Sequence, residues 1–346
     1  MEQAKSIIKT LDTFAKACNL ALETALVTNK SRAFDIHHAC YHRIKAETEL
    51  TANYVVRAIA RVAQSFGTNK KNPKSFKPTS ADLDKDLFRY NPILETISLA
   101  SMDGRLKNVR LSLGDYQRNL LQNQTPKAGQ LIYNKKRDRF YIGFVIEEAE
   151  PTPTGTNSLG VDRGIIRIVG ASDGYLVSGR NINRTRERYA RTRASLQAKG
   201  TKNARRVLKR LSGKQRRFMR DINHAISKEL VNRAVNQNAY IVLEDLEGIR
   251  ERTKKQGKRL RRMIGGWSFY QLQTMLEYKG KLQGVKTIYV NAAYTSKTCN
   301  VCGQIGSRKK HIFKCSCGNI DDAEINAAKN IALRGAQVSR AEAACI

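Results

Sequence analysis

The sequence predicts an α+β chain of several domains: an N-terminal helical lobe, a small antiparallel β module, and a mixed α/β domain with a cysteine-rich insertion. Three observations predict it. Apolar residues recur at helical spacing up to about residue 66, alternate from about Phe88, and beyond residue 157 follow the order βββ–α–β–α–β–α. Four of the seven cysteines lie between Cys299 and Cys317, with only Cys18, Cys40 and Cys345 elsewhere. That clustering fits a metal in a reduced compartment rather than an extracellular disulfide framework. Finally, 63 Lys+Arg against 30 Asp+Glu in 346 residues give a net charge of +33. A surface that repels itself so strongly calls for a polyanionic partner, and nucleic acid is the expected one.

Several classes are excluded at this level. A disordered basic tail does not carry apolar periodicity along its length. No apolar run reaches the 18 residues a membrane span needs. Met1-Glu-Gln-Ala-Lys lacks the apolar core of a secretion signal, so a cytoplasmic protein is expected.

The elements follow in order. Ile7, Leu11, Phe14, Cys18 and Leu22 form one helical stripe, and Val55, Ala58, Ile59, Val62 and Ala63 another, closed at Gly67. Thr68–Thr79, with Pro73 and Pro78, is a loop. Ile97, Leu99 and Met102, then Asp103-Gly104, then Leu106, Val109, Leu111 and Leu113 read as a hairpin. A second hairpin pairs Gln130–Tyr133 with Phe140–Glu147, and Glu148–Asn157 is a linker. Strands are expected at Ser158–Asp162, Ile165–Ala171 and Tyr175–Ser178. A long basic helical region leads to strands at Ala239–Asp245 and Val285–Asn291, with a helix near Trp267–Leu282 between them, and a last helix starts near Asp322. This order is what an RNase H-like mixed sheet requires. The boundaries expected are 1–80, 81–150 and 156–346, with the insertion at 294–320.

Three sets of residues carry chemistry. Cys299-Asn-Val-Cys302-Gly and Cys315-Ser-Cys317-Gly supply two thiolate pairs on tight turns, enough to close a tetrahedral, structural Cys₄ zinc site. His311, between the pairs, reads as a solvated histidine. Asp162 and Glu244 end apolar strands, where an acid is costly unless it is paired or binds a cation. With a third acid from the last helix they would line an oxygen-rich site suited to two Mg²⁺ ions. Between Arg180 and Arg220 stand sixteen Lys or Arg against Glu187 alone, too one-sided for an ordinary solvated helix face. Arg184, Arg188, Arg191, Arg205, Arg206, Lys209, Arg210, Lys214, Arg216 and Arg217 are the phosphate-binding candidates there. Lys254, Lys255, Arg259 and Arg261 repeat the theme in a basic loop spanning Arg250–Arg262.

At these motifs the sequence resembles a family. Ser158-Leu-Gly-Val-Asp162-Arg-Gly-Ile, Ile241-Val-Leu-Glu244-Asp-Leu-Glu-Gly-Ile, Tyr294-Thr-Ser-Lys-Thr-Cys299-x-x-Cys302-Gly and Asn326-Ala-Ala-Lys-Asn-Ile331 resemble the TnpB proteins of insertion sequences, relatives of type V CRISPR effectors. Asn223-His-x-x-Ser227-Lys228 and Trp267-Ser-Phe-x-x-Leu272 fit the same pattern. The resemblance covers roughly residues 155–335 strongly and the rest weakly. It implies a helical recognition lobe and a wedge-like β module that hold a guide RNA, base pairing that selects double-stranded target DNA, and a RuvC-like nuclease domain with a zinc ribbon inserted. It places Asp162 and Glu244 on the first two catalytic acids. The organism implied is prokaryotic, with the protein nucleoid-associated when bound to DNA.

Two departures stand out. The family's third acid, an Asp two residues before Asn-Ala-Ala, is Glu324 here, one methylene longer. Misplacement by roughly 1 Å can cost about 10²-fold in rate, and Asp321 or Asp322 is a candidate substitute, Asp321 the better placed if the helix begins that early. The family's opening β segment is not evident, so an incomplete wedge or a misassigned start is expected. Two further readings stay open beside the RNA-guided endonuclease: a nuclease-impaired RNA-guided DNA-binding protein, and an unguided zinc-ribbon nucleic-acid-binding protein.

Overall fold

A computed structural model of the chain describes residues 2–68, 74–122, 124–147, 151–246, 257 and 269–344. It divides into two compact units, Met1–Glu148 and Ala149–Ile346. Lys254, Lys255, Arg259, Arg261, Trp267 and Cys345 lie outside the described residues.

In the first unit the two expected helical stripes belong to α1 (Glu2–Val27) and α3 (Ala52–Thr68), which runs one residue past Gly67. A third helix between them, α2 (Ala33–Thr48), buries Ile36, Cys40 and Ile44 at four-residue spacing. Leu11, Phe14 and Cys18 of α1 meet Val55, Ala58 and Val62 of α3 in one core.

The segment expected as a small antiparallel β module folds as two three-stranded antiparallel sheets. One has the order β1 (Ser80–Asp84), β5 (Ala128–Asn134), β6 (Arg139–Val145); the other has β2 (Phe88–Asn91), β3 (Thr96–Ser101), β4 (Gly104–Arg110). Each expected hairpin is present, and each gains a short strand from residues 80–91 whose alternation is too brief to read alone. A short helix, α4 (Asp115–Leu121), separates β4 from β5. Arg61 of α3 clamps Asp82 of β1 with two hydrogen bonds, 2.5 and 2.7 Å, fixing helix to sheet. Helices and sheets share the same apolar core.

The second unit is built on a five-stranded sheet. Its strands are β7 (Asn157–Arg163), β8 (Arg167–Ala171), β9 (Leu176–Ser178), β10 (Ala239–Asp245) and β11 (Thr287–Asn291), in the order β11-β10-β7-β8-β9. β8 runs antiparallel to β7 and β9, while β10 and β11 run parallel to β7. This is the mixed order that the element pattern predicts. Helices α5 (Arg180–Lys199) and α6 (Lys202–Asn236) connect β9 to β10, and α7 (Phe269–Leu282) precedes β11. Leu159, Val161, Ile241 and Leu243 pack with Ile226, Leu230, Leu272 and Leu276 from α6 and α7. Period-two alternation therefore sends Gly160, Asp162, Val242 and Glu244 to the opposite face.

That opposite face is covered by α8 (Ala323–Ala344). The helix lies very close to the strands because glycine leaves room. A Cβ on Gly160 would stand 2.0 Å from the Ala328 carbonyl oxygen, and one on Gly170 2.9 Å from the Glu324 Cβ. Three short strands, β12 (Ser307–Lys309), β13 (Ile312–Lys314) and β14 (Ile320–Asp322), form the cysteine-bearing ribbon just before α8. Among the described residues no helix is long and apolar enough to cross a membrane.

Candidate nuclease and zinc sites

Asp162 and Glu244 are the penultimate residues of β7 and β10. These strands are parallel neighbours with Val161 opposite Leu243, so the next position on each sets the two acids side by side on the α8 face. Gly170 is the antiparallel partner of Asp162, and its missing side chain admits the backbone of Glu324. Register and helix docking thus bring residues from three distant segments to one end of the sheet.

Two of the acids are buried, Glu244 to 8% exposure and Glu324 to 5%, and Asp162 is half-buried. Burial, with the charges of Glu244 and Glu324, pushes the Asp162 carboxyl up to about 7, against the pull of Arg308. Burial also raises the Glu244 carboxyl, and the Thr295 hydroxyl, which donates to its Oε1, pulls it back. Arg163, 5% exposed, donates from Nη2 to the main-chain carbonyl of Glu244 and so ties the end of β10 to β7. An all-oxygen, anionic, desolvated pair of this kind suits a hard divalent cation.

Glu324 is differently placed. Arg308 of β12 donates from Nη2 to its Oε1 at 2.9 Å, and His311 Nδ1 lies 3.2 Å from the same oxygen. His311, read from the sequence as solvated, therefore keeps an exposed edge but also contacts Glu324. Among the described residues the three acids do not form a tight group of ligand atoms, whereas the cysteines do.

The proposed substitutes are also corrected. Asp321 and Asp322 lie in β14, not in the helix, because α8 begins only at Ala323. Asp321 pairs with Lys329 at 2.8 Å. Asp322 accepts the Glu324 N–H at 3.1 Å, capping α8, and pairs with Arg167 through its other oxygen. Both carboxylates are thus committed elsewhere.

The four ribbon sulfurs lie within 4.8 Å of one another, with Cys299–Cys317 at 3.7 Å and Cys302–Cys315 at 3.5 Å. Positive φ at Gly303 (+77°) and Gly318 (+88°) closes each turn in a conformation that side chains avoid. Burial raises the Cys299 thiol, but the Cys302 backbone N–H and the Asn319 amide outweigh it and hold the thiol near about 6. Four convergent thiols, with hydrogen bonds lowering Cys299 and Cys315, fit a tetrahedral zinc ion.

The Asn-Ala-Ala-Lys-Asn segment of α8 binds the approach to this ribbon. Asn326 accepts the Asn300 N–H at 3.0 Å and donates to the Thr298 carbonyl at 2.8 Å; Asn330 donates to the Thr295 and Thr298 carbonyls at 3.0 and 2.6 Å. Both asparagines are at least 95% buried. They fix the turn that carries Thr295, and through it Glu244.

The phosphate-binding candidates Arg184, Arg188 and Arg191 of α5, with Arg205, Arg206, Lys209, Arg210, Lys214, Arg216 and Arg217 of α6, are all exposed. Arg186, in the same run, is buried and donates to Asn183 at 2.9 Å.

Sequence reasoning missed Arg163, Thr295 and Arg308. Arg163 adjoins Asp162 and Thr295 precedes the first cysteine by four residues, but only the fold shows what each touches. Nothing in the run Arg308-Lys-Lys distinguishes Arg308 from an ordinary charged hairpin.

Two family models match this chain: a probable transposase over residues 134–247 and a Cas12f1-like TNB domain over residues 269–331. A TnpB-like protein of Methanocaldococcus jannaschii is 27% identical over 71% of this chain and 92% of its own length. A CRISPR-associated endodeoxyribonuclease Cas12f1 of Sulfoacidibacillus thermotolerans is 25% identical over 86% of this chain and 81% of its own. The fold resembles that of Cas12f1 solved with sgRNA and target DNA, with a TM-score of 0.65 at 15% identity, over 96% of this chain and 83% of that one. With the zinc-type cysteine cluster and the mixed sheet in hand, these matches make the chain similar to TnpB-like and Cas12f1 proteins in sequence and to Cas12f1 in fold.

Proposed function

We propose that this protein is an RNA-guided DNA endonuclease of a transposable element. The observation that carries the reading is the pair Asp162 and Glu244, set side by side by register on neighbouring strands beneath α8, with Glu244 buried and Asp162 half-buried. Those two carboxylates would hold Mg²⁺, which when bound activates water and stabilises the leaving oxygen of a phosphodiester. This chain's own residues do the rest. Arg163 and Thr295 fix the backbone and side chain of Glu244, and the exposed cations of α5 and α6 bind phosphate.

The ribbon zinc is structural, since four cysteine ligands leave no open position. The helical lobe (1–80) and the β segment (81–150) hold the guide RNA, and the 156–346 domain cuts. A net charge of +33 suits a complex that must carry an RNA, a heteroduplex and a displaced strand. Guide RNA and double-stranded target DNA are the partners in this reading, and the structural neighbour was solved with sgRNA and target DNA. One observation favours the nuclease-impaired reading: the carboxylate of Glu324 is already matched by Arg308.

The test is to purify the chain with its co-expressed RNA, sequence that RNA, and add plasmid carrying a matched or mismatched target with Mg²⁺. A defined RNA and cutting restricted to the matched plasmid are expected. Absence of a defined RNA sinks both guided readings and leaves a zinc-ribbon nucleic-acid-binding protein. Matched binding without cutting supports the impaired one.

A further inference from the structure

The ribbon carries two side chains that no structural zinc module needs. Arg308 and His311 flank the β12–β13 turn and converge on Glu324 from sixteen and thirteen residues away. Arg308 is anchored at both ends of its guanidinium, since Nε donates to the Lys310 carbonyl at 3.1 Å while Nη2 donates to Glu324 at 2.9 Å. The hairpin is itself tied to the helix start, where the Ala323 N–H donates to the His311 carbonyl at 2.9 Å. Asp322 then fixes the backbone of Glu324 through its N–H.

The charge balance is the important point. Glu324 is 5% exposed, so its anion needs a partner, and a guanidinium already supplies it. A divalent ion seeking the same carboxylate would have to displace Arg308 or sit against its positive charge. A shorter Asp at this position would draw the carboxylate back toward the helix backbone and away from the ribbon.

We propose that Arg308 and His311 clasp the Glu324 carboxylate to the zinc ribbon, so that the chain binds a single divalent cation at Asp162 and Glu244, and a second enters only when the clasp opens. This rests on the reading of Asp162 and Glu244 as a cation site. It makes Arg308 a positioning residue, acting through Glu324, and it gives the ribbon a part in setting how many ions the site takes.

The test is a Mn²⁺ titration of the zinc-loaded full chain, cleared of RNA by high salt, with free Mn²⁺ followed by electron paramagnetic resonance. Wild type, Arg308→Gln, Glu324→Asp and Asp162→Ala are compared, and zinc content is measured in each to show that the ribbon is intact. One bound Mn²⁺ is expected in wild type and two in both Arg308→Gln and Glu324→Asp. Two ions in wild type, or one in Arg308→Gln, overturns the clasp while leaving the site itself standing. A count that Asp162→Ala does not lower overturns the cation site, and the clasp with it.

Discussion

The cysteine site and the carboxylate site lie at the two ends of the same short ribbon and are built in opposite ways. The cysteines come from one nineteen-residue segment, and their sulfurs converge within 4.8 Å through local turns alone. The acids come from β7, β10 and α8, distant segments that strand register and helix docking bring to one end of the sheet. The local site is complete. The non-local one has two members on neighbouring strands and a third held by Arg308. A site assembled by tertiary packing can therefore be altered by one side chain from a neighbouring module, while a site closed by local turns cannot.

Removing the local site should have the largest effect. Structural zinc contributes about 10–16 kcal/mol in small zinc-dependent peptides. Cys299→Ser is expected to lose zinc and expose the ribbon to protease, while the five-stranded sheet stays protected. Ribbon cleavage unchanged by zinc loss would show that the ribbon folds without metal.

Next in size is the non-local pair. Glu244→Gln keeps the shape and the Thr295 contact but removes the charge, and guided cleavage should fall by about 10³-fold, on the scale of losing a principal electrostatic group. A fall smaller than tenfold would break the claim that Glu244 serves the reaction.

Docking is tested by Gly160→Ala. Its Cβ would stand 2.0 Å from a carbonyl of α8, and overpacking of this kind costs about 1–3 kcal/mol. A melting temperature lower by several degrees is expected, with the zinc content unchanged. No change would mean that α8 does not rest on this strand.

The smallest effect is one of pH. The Asp162 carboxyl is pushed up to about 7, above its value of 3.8 in an unfolded chain. The folded state thus holds the proton more tightly, and metal-free stability declines as pH rises from about 4 to about 7. Asp162→Asn removes that penalty, so it should raise the melting temperature at pH 8 and leave it almost unchanged at pH 4. A gain of the same size at both values would contradict the burial argument.

Much of this was legible in the sequence because the signals were local. Apolar runs located β7, β8 and β10, Asp103-Gly104 located a hairpin, and the cysteine spacing located the ribbon. What stayed hidden depends on contacts across the chain. The split of the β segment into two sheets rests on β1 and β2, whose five and four residues are too short for a period to declare itself. The commitment of Asp321 and Asp322 to β14 follows from its pairing with β13, a ribbon contact that helical periodicity does not see. The commitment of Glu324 to Arg308 and His311 required the folded hairpin.

The most direct measurement of the central claim is guided plasmid cleavage in Mg²⁺ by wild type, Asp162→Ala and Glu324→Asp, with the same RNA bound to each. The account predicts slow cutting by wild type, none by Asp162→Ala, and faster cutting by Glu324→Asp, whose shorter side chain leaves Arg308. Cutting by Asp162→Ala at the wild-type rate would contradict it, and so would a Glu324→Asp variant no faster than wild type.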